Sequence, residues 1–220
     1  NNPELATTKA MDLVRMAVSK VALLEPLKEA ELQVDQTAMS VGGGISGMAA
    51  AKSLARQGYE THIIEKDSQL GGQAQNLYRT AKGEDIQDKL SSLIAEIEGH
   101  EKIHVHLDTE IADVEGFVGN FETTLSSNGN REMLEHGVAI MATGAAPLQP
   151  TEYCYGQDSR IITALELDRK FKDDDASLKE INSAVFIQCV GSREPERMYC
   201  SRVCCTHSVD NALTLKRLNP

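Results

Sequence analysis

Two stretches carry residues whose types and spacing suit chemistry: the glycine run Val41-Gly42-Gly43-Gly44-Ile45-Ser46-Gly47, and four cysteines, Cys189, Cys200, Cys204 and Cys205. The glycines follow a short apolar run from Thr37 to Val41. They open a helical stretch, Ile45 to Gln57, whose Ala49, Ala50, Ala51, Leu54 and Ala55 form a small-residue face. In such a strand, turn and helix, Gly42 permits the turn and Gly44 lets the backbone approach a pyrophosphate. Gly47 lets helix and strand pack closely, and the free N–H groups of the helix start face an anion. A second strand, Glu60 to Glu65, ends in an acid eighteen residues after Gly47, where a dinucleotide fingerprint places a carboxylate on a ribose 2′-OH. Strand, glycine turn, helix, strand and terminal acid together predict a Rossmann-like dinucleotide site. A paired glycine, Gly71-Gly72, follows six residues later and permits either a second close backbone approach or an ordinary turn.

The cysteines are spaced by eleven, four and one, which matches neither common ferredoxin pattern. Cys189 falls at the end of a predicted strand, Ala184 to Ile187. Cys200 precedes a predicted helix, Ser201 to Arg217, with Ser201 placed to cap it and Cys204 and Cys205 in its first turn. A helix N-terminus and the nearby Arg193, Arg197 and Arg202 would offset the charge of clustered thiolates. Composition leaves an iron–sulfur cluster, zinc, a redox dithiol and unliganded buried cysteines all open, in that order of preference. Cys154, far from the other four, reads as a free thiol. His104 and His106 share a strand face without a third ligand nearby, which favours a solvated face over a metal site.

The elements that must position these groups follow from periodicity. Residues 7–24 place Met11, Val14, Val18 and Val21 at helical spacing, and Pro26 closes a stripe expected to pack on the main domain. Residues 27–36 read as a polar connector. Ile86, Leu90, Leu93, Ile94 and Ile97 mark a helix over 84–98, and Ile103, Val105 and Leu107 mark a strand. Three further strands are expected at Glu110–Val114, Phe121–Leu125 and Met133–Met141. Asn128-Gly129 turns the hairpin between the last two, and the apolar end of the last strand is expected to be buried on both faces before Thr143-Gly144. The predicted organisation is an N-terminal helix and connector (1–36), a nucleotide-binding domain (37–147), a linker (148–182) and the start of a second nucleotide-domain-like unit bearing the cysteines (183–220).

With 220 residues and a net charge of -11, the chain has the composition of an ordinary globular protein and no basic patch to meet nucleic acid or an anionic membrane surface. No apolar run approaches the roughly 18 residues of a membrane span, and no signal-peptide pattern is present, so the expected location is cytoplasmic. The first residue is not Met and the last ones follow directly on a helical pattern, so the chain is expected to be part of a longer protein.

Phe186-Ile187-Gln188-Cys189-Val190-Gly191-Ser192-Arg193, followed by Tyr199-Cys200-Ser201-Arg202-Val203-Cys204-Cys205, resembles the flavin-bearing A subunit of heterodisulfide reductase. The A subunit of the quinone-interacting membrane-bound oxidoreductase complex is a near neighbour. The likeness extends through Gly42–Gly47, Glu65-Lys66, Leu70-Gly71-Gly72, Thr143-Gly144 and the helix from Met11 to Leu24 with Glu25-Pro26-Leu27, nearly the whole chain. The resemblance implies a thioredoxin-reductase-like FAD fold in an oxidoreductase subunit that passes electrons between FAD and iron–sulfur clusters. The implied partners are other subunits of a redox complex, of heterodisulfide-reductase, hydrogenase or quinone-interacting type. It further implies FAD contacts at Gly42, Gly44, Ile45, Ser46, Gly47, Glu65, Lys66, Gly71, Gly72, Thr143 and Gly144, and a [4Fe–4S] cluster on Cys189, Cys200, Cys204 and Cys205. The archaeal family carries a ferredoxin insertion after the paired glycine, whereas here Gln73–Leu77 runs straight on toward the next helix; the family's terminal ferredoxin domain is also not in these residues. The competing readings are an NAD(P)H-dependent disulfide reductase, opposed by the lack of any CxxC and of a second glycine fingerprint, and a cofactor-free docking piece.

Overall fold

The computed structural model describes residues 2–26 and 32–219. The chain divides into two compact units, 1–33 and 34–220. The first holds helix α1 (Pro3–Ala22), started by the Asn2 side chain, which accepts from Leu5 N–H, and by Pro3 at its first position. None of its residues is buried within this unit. Residues 27–31 of the expected connector lie outside the described residues.

The second unit is built on a four-stranded parallel sheet of β1 (Ala38–Val41), β2 (Thr61–Ile64), β3 (Ile103–His106) and β7 (Val138–Met141), in the order β3-β2-β1-β7. Alternation of side chains explains what covers each face. Ile63 and Ile103 point to one side, where they join Met48, Ala51 and Ala55 of α2 (Ile45–Arg56) and Leu90 and Ile97 of α3 (Ile86–Glu98). Met39 and Ile64 point to the other, onto Leu125 and Leu134 of an antiparallel sheet of β4 (Thr109–Phe117), β5 (Asn120–Ser127) and β6 (Asn130–His136). The expected α/β Rossmann-like class is thus present, with its helices on one face and a small β layer on the other. Helix α3 starts where Asp85 accepts from Gln87 N–H and Asp88 N–H. Asn128 and Gly129, both at positive φ, form the two-residue hairpin turn that their types call for.

Three expectations need correction. The single strand read over 133–141 is two strands in different sheets, broken at Gly137. Its second half, β7, pairs among the described strands only with β1 and so lies at the edge of the sheet, and Val138 and Met141 remain 47% and 70% exposed instead of buried on both faces. The strand expected at Ala184–Ile187 does not form; no described strand pairs with it, Val185 and Ile187 are exposed, and Phe186 packs into a separate apolar cluster. That cluster joins Leu167 and Phe171 of α4 (Ala164–Lys172), Leu178 and Leu215 of α5 (Cys204–Leu218). Helix α4 lies within residues 148–182 and is opened by a reciprocal cap between Thr163 and Glu166.

On β3, His104 is exposed, as expected of a solvated face, whereas His106 is half-buried against His62 of β2. His62 Nδ1 and His106 Nε2 are 2.9 Å apart, the two rings stack, and His104 Nε2 lies 3.0 Å from Glu60 Oε2. Burial, and then the neighbouring His104 and His106, push His62 down to about 4; burial likewise lowers His106 and the fully buried His136. The folded chain therefore binds protons later than the unfolded one, and this stabilisation is complete above the ordinary histidine pKa of about 6.5 and lost as pH falls toward 4. We expect the urea midpoint to drop between pH 6.5 and 4.5, and His62→Asn to flatten that slope. An unchanged slope in the variant would refute the assignment.

Candidate functional site

The glycine loop sits where β1, β2 and β7 end together. Gly42 lies at φ +111, and its N–H donates to Ile64 O at 2.8 Å. A Cβ on Gly42 would strike Ala142 O, and one on Gly47 would strike Gly42 O, both well under the 3.0 Å a side chain tolerates. Gly44 is different: nothing lies within 4 Å of where its Cβ would be. Gly42 and Gly47 are thus demanded by the backbone around them, whereas nothing in the described fold demands a glycine at Gly44. Gly44 is also the N-cap of α2, with no side-chain cap, so the first-turn N–H groups of Ile45, Ser46 and Gly47 have no partner within the helix. Such a terminus suits a phosphate.

Glu65 is buried, and both its oxygens are engaged: Oε2 accepts from Gly43 N–H at 2.7 Å and Oε1 from Asp67 N–H at 3.0 Å. The acid braces the glycine loop, a role its position in the sequence does not reveal. Each carboxylate oxygen has a second acceptor site, so a ribose hydroxyl remains within its capacity. The paired glycine, ambiguous in the sequence, lies against this loop. Gly71 N–H donates to Gly43 O at 2.8 Å, Gly44 and Gly71 form a parallel bridge, and a Cβ on Gly72 would stand 3.2 Å from Gly44 Cα. After β7, Thr143 Cα would be 3.4 Å from a Cβ on Gly42, and Gly144 has φ +65. Lys66 follows Glu65 and is exposed. The structure brings the glycine loop, Glu65, the paired glycine and Thr143-Gly144 together at one end of the parallel sheet.

The cysteines are not brought together in the same way. Cys189 is half-buried at φ +61, and Cys200, Cys204 and Cys205 are exposed. Among the described residues no three His, Cys, Asp or Glu side chains are placed to hold one metal ion. Cys200 Sγ accepts from Arg202 N–H at 3.4 Å, and α5 begins at Cys204 with Val203, not Ser201, at its N-cap and no side-chain cap. Adjacent residues on a helix point about 100° apart, which separates the Cys204 and Cys205 thiols. The residues as placed do not fit a cluster.

One group was missed altogether. Asp168, 1% exposed on α4, accepts from Tyr78 N–H at 3.1 Å and from His207 Nε2 at 2.9 Å. The carboxylate hydrogen bond raises the His207 pKa against the effect of burial. Asp168 stands in a charged run, Asp168 to Lys172, that reads as solvent-facing; nothing in it signals a buried acid.

A family profile described as an NAD(P)-binding Rossmann-like domain matches residues 41–93, the span from the glycine loop through most of α3. The whole chain aligns at 28% identity with the A subunit of the H(2):CoB-CoM heterodisulfide,ferredoxin reductase of Methanothermobacter marburgensis, covering 47% of that protein. Over 54% of the chain, a protein of Archaeoglobus profundus described as like the A subunit of heterodisulfide reductase is 36% identical, covering 17% of its length. This chain is homologous to the A subunit of heterodisulfide reductase. It spans about half the length of the curated relatives it matches along its whole length. The first alignment runs over 311 positions against 220 residues here, so within the matched span this relative has residues that the chain lacks. Among solved structures, an L-proline dehydrogenase from P. horikoshii is similar over 54% of this chain and 25% of its own, with 22% identity and a TM-score of 0.45. No described helix is long and apolar enough to cross a membrane.

The brace on the glycine loop makes a direct prediction. Glu65→Ala leaves two N–H groups without their acceptor, at about 1–3 kcal/mol for each that stays buried. We expect a lower urea midpoint and at least tenfold weaker dinucleotide binding. A variant with wild-type midpoint and affinity would show that the brace is dispensable.

Proposed function

We propose that the chain is the FAD-binding portion of a heterodisulfide-reductase-like oxidoreductase subunit, passing electrons within a cytoplasmic multi-subunit complex. The observation that carries the reading is the double backbone approach at Gly44. The Gly71-Gly72 segment crosses the glycine loop there, and Glu65 holds the loop from beneath. FAD, when bound, supplies acceptance and release of one or two electrons. The chain's own residues do the binding. The first turn of α2 meets the pyrophosphate, the free acceptor sites of Glu65 take the ribose hydroxyls, and Gly72 and Thr143-Gly144 admit the cofactor without side-chain obstruction. Glu65 would also repel a 2′-phosphate, favouring FAD over a phosphorylated dinucleotide.

We extend the proposal to two finer points that rest on family resemblance. The nucleotide domain is taken as 37–147, with residues 183–220 opening a second domain. Cys189, Cys200, Cys204 and Cys205 are taken as ligands of a [4Fe–4S] cluster, which requires the thiols to move from their present positions; no step is routed through it.

The test is anaerobic purification of the full-length protein with quantification of flavin, iron and acid-labile sulfide. Flavin near one per chain is expected in the wild type, and a colourless protein would overturn the reading. Cys200→Ala should lose most of the iron while Cys154→Ala keeps it. Equal iron in the two would remove Cys200 from the ligand set.

A further inference from the structure

The described chain buries two carboxylates, Glu65 and Asp168. Glu65 braces the glycine loop; Asp168 has no part in that site and yet joins three stretches far apart in sequence. Its Oδ2 holds Tyr78 N–H, ninety residues away, and its Oδ1 holds His207 on α5. A fully buried acid costs several kcal/mol to desolvate unless it is well partnered, so its placement calls for a reason beyond packing.

Tyr78 lies two residues beyond a short 3-10 turn, Gly72–Asn76, that begins at the paired glycine of the flavin cradle. Helix α4 grips this turn at two further points: Lys172 Nζ donates to Gln75 O at 2.9 Å, and Arg169 reaches Asn76 Oδ1 at 3.4 Å. On the other side, His207 is one turn from Cys204. The apolar groups near that end of α5, Val203 and Val209, are 66% and 60% exposed, and the helix's buried residues, Asn211 and Leu215, lie about two and three turns from Cys204. The first turn of α5 is therefore poorly buried, and just beyond it the helix is held by His207 on Asp168 and by Gln188 Nε2, which donates to Ser208 Oγ at 2.7 Å.

We propose that Asp168 couples the flavin cradle to the cysteine helix, so that ordering of the Gly71-Gly72 loop by FAD is passed through Tyr78 N–H, Asp168 and His207 to the turn bearing Cys204 and Cys205. Asp168 and His207 act here as positioning residues. The inference rests on the flavin reading above. A weakly held turn tied through Asp168 to a loop that a ligand rigidifies gains order when the ligand binds, with no change of fold required.

The experiment measures amide hydrogen exchange of residues 204–210 in the full-length protein, with FAD removed and then restored. In the wild type, FAD is expected to slow exchange there at least fivefold, the low end of the roughly 5- to 150-fold range of coupling between sites, while the β5–β6 hairpin is unaffected. His207→Ala should still bind FAD but lose the slowing. His207→Gln, which retains an N–H for Asp168, should restore it and so show that α5 still folds. A tie that is merely structural would speed exchange equally with and without FAD, leaving the ratio at its wild-type value; that result overturns the proposal. So does a wild type that binds FAD with no slowing, or a Gln variant that loses it. If the wild type takes up no FAD, the flavin reading itself fails, which the flavin absorbance shows before any exchange is measured.

Discussion

Gly47→Ala is expected to abolish dinucleotide binding and to destabilise the second unit by about 3–5 kcal/mol, against about 1 kcal/mol for an ordinary substitution. The reason is local. The added Cβ would meet Gly42 O far inside contact distance and Ser40 Oγ at 3.0 Å. Ser40 is fully buried and its hydroxyl already donates to Gly47 O, so neither neighbour can yield. Helix α2 must then lift from β1, which opens the cluster of Met48, Ala51 and Ala55 on Ile63. Gly44→Ala is the contrasting variant. Gly44 has φ -74 and open space at its Cβ, so the fold should lose no more than about 1 kcal/mol, from the poorer N-cap. A methyl group there stands where the pyrophosphate would approach, and flavin binding should still fall at least tenfold. Urea melts and flavin titration of both variants separate the two roles. Equal loss of stability in both would mean that Gly44 also serves packing.

That contrast bears on what the sequence could disclose. Spacing alone placed Gly42, Gly44, Gly47 and Glu65 in one site, because a β-α-β unit leaves few ways to connect a glycine turn to a second strand. The Asn128-Gly129 hairpin and α3 were legible for the same reason: their signals are local turn chemistry and helical period. What was not legible depends on the partners that an element finds. The apolar run 138–141 reads as buried, but among the described strands β7 has a neighbour on one side only. Ala184–Ile187 reads as a strand, but a strand needs an edge to pair with, and among the described residues it has none. His62 and Asp168 look like surface residues in their own stretches. Their burial comes from β3 and from Tyr78 and His207, which lie 39–90 residues away. The division of labour among the glycines was legible too: the fingerprint asks for close helix–strand packing at Gly47 and an open approach at Gly44, and the space around each agrees.

Gly137 carries the second large effect, and it was not among the residues singled out by spacing. Here the chain leaves the antiparallel sheet at the end of β6 and enters the parallel sheet as β7. Its backbone serves both: Gly137 N–H donates to Thr37 O at 3.0 Å, and its carbonyl accepts from Gly119 N–H at 3.2 Å. The segment just before β1 passes directly over it, so that a Cβ would strike Asp35 O and stand 3.2 Å from Val34 Cγ1. Gly137 is not at positive φ, so close approach of backbone, not conformational freedom, is what excludes a side chain. Gly137→Ala should therefore push β7 from β1 or the 34–37 segment from both sheets, at about 3–4 kcal/mol, within the upper range for overpacking with backbone shift. Displacing β7 also moves Ala142 and Thr143 away from Gly42, so flavin binding should weaken with stability even though Gly137 lies at the opposite end of the strand. Gly129→Ala provides the comparison: it has positive φ and open space, and should cost only the left-handed strain of about 1–2 kcal/mol without touching the cradle. Hydrogen exchange at the amides of β7, with urea melts, reads both effects. Gly137→Ala with wild-type protection at Ile140 and an unchanged midpoint would show that the crossing between the two sheets is looser than its geometry indicates.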